Sequence, residues 1–472
     1  MSDQHSYRAR YQLHDPPISL AADECALVDI DITNVGELPW PHRGERRLAL
    51  SYRWLDALGR LLPGEGPHAP LPRAVAPGEV VRLEVRIEPP ERPGEHVLQV
   101  ELVEEGVAWL SERGDEPLRL PVHVLPGDDR PRVCLVNGAC RLHDAVSNHA
   151  LEQLRFFHER GYRVLLLVGD IDERLPRELR RHICLVAPDA LQDDTPPLAV
   201  RRAVTHFHGA ELLIFHYASY YPLAEAIRLV GAGATILDYH GVTPPALWSG
   251  AQGADELDAG ARLAALARFA DHAHAHSAFA RDELAATARI PADTISVFPY
   301  AVPLEAFRPG ARDAALVARY GLEEGPGLLY VGRMAGNKRV VDLVRALPIV
   351  RARFPHARLL LVGDDKTPPY PQLVAEARRE AEALGVGDAV IFTGQLPLDE
   401  LVALYQTCDL FVTASRHEGF CIPVIEALAC GTPVVGANAT ALPETIGPGG
   451  LTFPPGDHQA LAEAVVALLI GR

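Results

Sequence analysis

The sequence predicts a multidomain protein in which an N-terminal β-sandwich, residues 1–125, precedes two doubly wound, Rossmann-like α/β domains at 126–310 and 311–472. Three observations carry this. At 472 residues the chain is too long for one ordinary hydrophobic core. Its first 125 or so residues are short alternating segments separated by Pro/Gly turns. Beyond them, apolar strand-like runs alternate with amphipathic helical ones.

In the first region the segments Ala26–Ile32, Arg47–Tyr52, Val80–Ile87 and His96–Leu102 have the spacing of sandwich strands, and no long amphipathic helix interrupts them. The stretch NVGELPW from Asn34, with LSYRWLDALG and EGVAWLSERG, resembles bacterial immunoglobulin-like modules that accompany polysaccharide enzymes. The resemblance implies an accessory domain with a glycan or protein partner. Trp40, Trp54 and Trp109 are core aromatics on the commoner reading and sugar-stacking platforms on the other.

The stretch VLPGDDRPR, Val124 to Arg132, reads as a linker. Strands are expected at Arg132–Val136, Arg163–Val168, Glu211–Phe215, Thr235–Leu237 and Ile295–Phe298, with helices at Ala145–Arg160 and Asp258–Ala270 between them. After VPLEAFRPGARD a second set begins. Its strands are Gly327–Val331, Arg358–Val362, Ala389–Phe392, Asp409–Val412 and Pro433–Val435. Its helices lie near Arg339–Phe354, Gln372–Leu384, Leu398–Gln406 and Ile422–Cys430. Parallel sheets of this kind take ligands at the C-terminal ends of their strands, so two of them predict a cleft between facing strand ends.

Composition narrows the function. A net charge of −17 argues against a general nucleic-acid binder, whose affinity comes from clustered Lys and Arg. Seven cysteines show neither metal-ligand spacing nor a compact disulfide framework, so reduced thiols are expected. No apolar run approaches the roughly 18 to 20 residues of a membrane span, and the opening MSDQHSYRAR lacks a signal core. The expected location is cytoplasmic, compatible with peripheral attachment to the inner membrane face.

The most informative segment is SRHEGFCIPVIEALACGTPVV, Ser415 to Val435. A strand ends before it and a helix starts near Ile422, so the amides around Phe420 and Cys421 project from a helix N-terminus, where a phosphate meets unsatisfied N–H groups and the positive end of the dipole. Glu418 precedes those amides and Glu426 follows one turn into the helix. With seven residues between them, these glutamates match the E-x7-E motif of glycosyltransferase family 4, and the context EGFxxPxxEAxAxGxPVV matches it too. The resemblance covers about 340 residues from Arg132. It implies a GT-B fold, a nucleoside-diphosphate sugar donor and transfer with retention of configuration. It also assigns Glu426 to the donor ribose, Glu418 to the donor hexose, and Gly419, Phe420 and Cys421 to sugar and phosphate. Cys421 departs from the family's usual glycine.

The segment YVGRMAGNKRVVDLVRAL resembles the family's GR…K signature, which assigns Arg333 and Lys338 to the donor diphosphate. Gly363, Gly394 and Gln395 fall at strand ends that resemble the base-binding edge. In the N-terminal half, His240 in LDYHGVTPP matches in position a histidine that many family members place beside donor sugar and acceptor, with His216 as its rival. The expected catalytic set is therefore His240, Glu418, Arg333 and Lys338. Asp144, Asn148 and His149 are candidates for the acceptor mouth.

No metal or other cofactor is expected, because Arg333, Lys338 and the helix amides supply the charge that the leaving diphosphate needs. His272, His274 and His276 share one face of a short strand, but non-metal roles are favoured for them. Asp170 and Asp172 spell a D-x-D without the context of a metal-dependent fold. The expected acceptor is a glycan or a lipid-linked hydroxyl. The alternatives are an inverting or metal-dependent transferase, and a non-catalytic glycan-binding protein with a vestigial transferase domain. The chain stops at AEAVVALLIGR, whereas the family usually continues into a helix that crosses back to the first α/β domain.

Overall fold

The computed structural model describes residues 7–17, 19–142, 144–248, 254–367 and 370–471; the first six residues of the polar opening lie outside them. The chain divides into two compact units, one of residues 1–214 and 228–234, the other of 215–227 and 235–472. Among the described residues no helix is long and apolar enough to cross a membrane.

The first unit begins with two sheets. Ala9–His14, Ala26–Asn34 and Val80–Ile87 form an antiparallel sheet of three strands. The second sheet runs Ser19–Ala21, Leu118–Leu125, Gly94–Glu104, Leu48–Asp56, Leu61–Glu65, with the short strands Ala69–Pro70 and Ala108–Trp109 at its margins. Alternation puts Val28, Ile30 and Ile32 on one face of their strand, and these pack with Leu50, Trp54, Leu98 and Val100 in one core. Trp40 and Trp54 are completely or almost completely buried, and the Trp109 ring lies under the Arg53 guanidinium at 4.1 Å. All three tryptophans are therefore packed, and none offers a sugar an open face.

The boundary expected at residue 125 falls inside this unit. Leu198, from the helix Leu198–His208 of the α/β region, is part of the two-sheet core. Buried Glu88 binds Arg86 at 2.6 Å and Arg202 of that same helix at 2.9 Å. Arg86 also donates to the carbonyl of Ile183 at 2.6 Å, Arg163 pairs with Asp23 at 2.6 Å, and Arg177 with Asp29 at 2.9 Å. This guanidinium seam passes over both sides of the linker, so the two-sheet region and the α/β strands beside it form one folded body.

The α/β part of the first unit has parallel strands Ile183–Leu185, Arg163–Val168 and Arg132–Asn137 in that order, backed by the helix Ala145–Glu159, whose N-cap Asp144 accepts from the Ser147 amide. The strand Leu212–Tyr217 is divided between the units. The strand Ala234–Tyr239, which enters the second unit at Thr235, pairs in parallel with His272–Ala275, and that strand with Ile295–Val297. A separate parallel sheet follows, ordered Val390–Gly394, Arg358–Val362, Gly327–Val331, Leu410–Thr413, Val434–Ala437, Gly450–Phe453. Its strands are apolar on both faces, as burial under helices on two sides demands. The reversal of strand order at Gly327–Val331 is the switch point at which such sheets bind ligands.

Candidate functional site

The strand Leu410–Thr413 ends in a buried turn that sets the 415–421 loop. Ser415 Oγ donates toward the carbonyls of His417 at 3.2 Å and Asn337 at 3.3 Å, and Asn337 Nδ2 donates back to the His417 carbonyl at 3.1 Å. The Glu418 amide is held by Thr440 Oγ1 at 2.9 Å. These bonds tie the loop to the residues just before the helix Val340–Arg353, and they bring Lys338 Nζ to 2.6 Å from Glu418 Oε1. The cation expected at the diphosphate and the carboxylate expected at the hexose are thus an ion pair, both largely shielded from solvent.

The loop continues through Gly419 to Cys421, the N-cap of the helix Ile422–Ala429, at φ +83°. That left-handed backbone explains why glycine suits the position. A Cβ on Gly419 would sit 2.1 Å from the His240 carbonyl oxygen, and Ser277 Oγ donates to the Gly419 carbonyl at 2.7 Å. Gly419 therefore packs against the end of the strand Ala234–Tyr239, beside His240. The Phe420 ring meets Tyr300 edge-on at 5.5 Å, and Tyr300 in turn contacts His240 Nδ1.

Glu426 lies one turn into the helix, where Tyr405 donates to its Oε2 at 2.7 Å. Burial pushes its carboxyl up to about 7, against the lowering effect of that bond. Cys421 is also raised well above the usual thiol range by burial, so it is not a poised nucleophile. Arg333 is exposed after the strand Gly327–Val331, and its carbonyl accepts from Tyr330 at 2.9 Å. The Gly363 amide donates to the Gly394 carbonyl at 3.1 Å, and a Cβ on Gly363 would fall 1.9 Å from the Gly332 carbonyl oxygen. The adjoining Gln395 is exposed. The structure therefore brings together Lys338, Glu418, Gly419, Phe420 and Cys421 on one loop assembly, with His240 against it and Glu426 one turn beyond. Gly363, Gly394 and Gln395 form a neighbouring pair of strand ends.

His216 is fully buried. It lies 3.2 Å from His240 Nε2 and 3.2 Å from a carboxylate absent from the expected set, Asp238. Asp238 lies near the end of the strand Ala234–Tyr239 and His240 one residue past it, so continued alternation puts both side chains on one face. That spacing was the signal available in LDYH. Asn337, Thr440 and Tyr405 are equally absent from the expectation, and no spacing rule marks them. Of the remaining histidines, His272 turns to Ser296 Oγ at 2.9 Å, while His274 and His276 converge on Asp238. The D-x-D carboxylates are engaged by arginines, Asp170 by Arg141 and Asp172 by Arg174, each at 2.7 Å.

With this geometry in hand, two family models match the chain: glycosyl transferases group 1 over residues 325–470 and glycosyltransferase family 4 over residues 146–306. Among similar proteins, the GDP-mannose-dependent alpha-(1-6)-phosphatidylinositol monomannoside mannosyltransferase of Mycobacterium tuberculosis is 35% identical over 192 residues, 39% of this chain and 48% of the relative. The O-antigen chain mannosyltransferase B of Escherichia coli is 32% identical over 203 residues, 41% of this chain and 50% of the relative. The matched segment thus spans about half the length of these relatives. Among solved structures, Anabaena HepE in complex with UDP and glucose aligns with TM-score 0.60 at 19% identity, over 72% of this chain and 90% of that one. Sucrose-phosphate synthase from Thermosynechococcus elongatus aligns with TM-score 0.57 at 23% identity, again over 72% and 90%. The chain is therefore similar to family 4 and group 1 glycosyltransferases across residues 146–306 and 325–470, and its α/β part has their GT-B-like fold of two Rossmann-type domains.

Proposed function

We propose that this protein is a retaining hexosyltransferase that moves a sugar from a nucleoside diphosphate to a hydroxyl of a glycan or lipid-linked acceptor, in polysaccharide or glycolipid synthesis. The observation that carries the reading is the Lys338–Glu418 pair at 2.6 Å on a loop that runs into the helix Ile422–Ala429. A binding module has no use for a cation fixed beside a helix N-terminus, whereas a departing diphosphate does. Glu426 takes the ribose diol, Glu418 faces the hexose, and Arg333 and Lys338 neutralise the diphosphate with no divalent ion there. Gly363, Gly394 and Gln395 border the base. His240 lies beside the transferred sugar.

The GDP-mannose-dependent relative makes GDP-mannose the first donor to test. A lipid-linked acceptor would bring the chain to the cytoplasmic face of a membrane. The two-sheet region is proposed to be immunoglobulin-like and to hold a glycan or a protein partner. The test is a panel of GDP-, UDP- and ADP-sugars with NMR of the product anomer. Transfer from one donor with retained configuration is expected. A folded protein that binds none of these nucleotides would remove the donor site, and an inverted product would remove the retaining mechanism.

A further inference from the structure

Asp238, at the C-terminal end of the strand Ala234–Tyr239, is completely buried, and four imidazoles converge on its carboxylate. His274 Nε2 and His276 Nε2 lie 2.7 Å and 2.8 Å from Oδ1, while His216 Nδ1 and His240 Nε2 lie 3.2 Å and 3.7 Å from Oδ2. A buried carboxylate is tolerated only when imidazole N–H groups donate to it, when a proton neutralises the cluster, or when a cation pairs with it.

Two features favour a cation. The first is orientation. His276 Nδ1 faces the Phe298 carbonyl at 2.8 Å, and a carbonyl only accepts, so the ring proton belongs on Nδ1 and a neutral His276 turns its Nε2 lone pair to the cluster. The His240 ring is oriented by the contact of its Nδ1 with the Tyr300 hydroxyl, which can donate or accept, and its Nε2 faces His216. Rings fixed through their outer nitrogens are how proteins orient metal-bound histidines. The second is spacing. Bonds of about 2.0–2.1 Å to a tetrahedral ion separate the donors by about 3.3 Å. His216 Nδ1, His240 Nε2 and Asp238 Oδ2 stand at 3.2, 3.2 and 3.7 Å from one another. Asp238, His240 and His276 also offer donors that all lie within 4.8 Å of one another.

We infer that His216, Asp238, His240 and His276 form a site for one divalent transition ion, with three imidazole nitrogens and one carboxylate suited to Zn²⁺. The donors come from the adjoining ends of the strands Leu212–Tyr217, Ala234–Tyr239 and His272–Ala275. The ion would brace those ends next to Gly419 and Phe420. It is separate from the diphosphate position and needs no nucleotide to bind.

The test uses untagged full-length protein purified without chelator. Mass spectrometry of metals should find one zinc per chain. After stripping, Co²⁺ should be taken up with the visible bands of a four-coordinate ion, and Zn²⁺ should displace it. His276→Gln and Asp238→Asn should lose the bound ion, and Glu426→Gln should keep it. Because the cluster variants could unfold, the parent protein decides the matter: a folded parent that retains no metal and gives no such cobalt bands overturns the site and leaves a proton-sharing cluster. Nucleotide titrations of the same samples report separately on the donor site, so failure of one reading is distinguishable from failure of the other.

Discussion

The Tyr405 hydroxyl hydrogen points at Glu426 Oε2 across 2.7 Å, so the carboxylate assigned to the ribose already has one donor in place before any ligand arrives. Its pKa of about 7 against 4.5 in the unfolded chain means that the folded state holds the extra proton between those values. Stability from this group is thus fully present below about pH 4.5 and is lost as pH rises through about 7. Glu426→Gln should unfold at higher urea than the parent at alkaline pH, by about 1–2 kcal/mol once screening is discounted. Nucleoside-diphosphate affinity of the parent should rise across neutrality as the carboxylate forms. In Glu426→Gln it should be flat and roughly tenfold weaker, as calorimetry would read.

Lys338 and Glu418 should be coupled in binding but not in turnover. Lys338→Ala strands the Glu418 carboxylate next to the diphosphate, so nucleotide affinity falls, and turnover falls further because the leaving-group charge has lost its partner. Adding Glu418→Gln should return the affinity to within about threefold of the parent without restoring turnover. A double variant that regains turnover would show that Lys338 serves the fold alone.

Cys421→Gly should stabilise the protein. The left-handed backbone at φ +83° costs a side-chain-bearing residue roughly 1–2 kcal/mol, and glycine gives back about half of that through the unfolded chain. A gain of about 0.5–1 kcal/mol in denaturant titration is expected.

Gly419→Ala should do the reverse. The added methyl would meet the His240 carbonyl at 2.1 Å, and backbone cannot swing aside as a flexible side chain can. A loop displaced by about an ångström should cut turnover on the order of 100-fold, with the far-ultraviolet spectrum unchanged.

Much of this was readable in the chain. Gly327–Val331 and Arg358–Val362 have the expected bounds, because an apolar run closed by glycine leaves little freedom in where a buried parallel strand stops. The loop from Ser415 to Cys421 was legible for the same local reason. The helix expected over Asp258–Ala270 instead ends at Leu263 and tightens into a 3-10 segment over Ala264–Phe269. Gly450–Phe453 has only 4 residues and directly follows the turn-like Gly447–Gly449, so it does not announce itself as a strand. The convergence of His216, His240, His274 and His276 on Asp238 was not legible: periodicity shows which residues share a face of one strand, but not which strands stand side by side.

The guanidinium seam bears on how this protein can be taken apart. Arg86, Arg163 and Arg202 draw on acceptors from both sides of residue 125, so a break in the chain there leaves the folded body bridged. In recombination or engineering, the inherited piece is the two-sheet region together with the chain from Arg132 through the helix Leu198–His208, which carries Leu198 and Arg202. An unrelated sandwich grafted at the linker would meet Arg202 without the carboxylate of Glu88, and would leave a buried charge where the parent has a satisfied one.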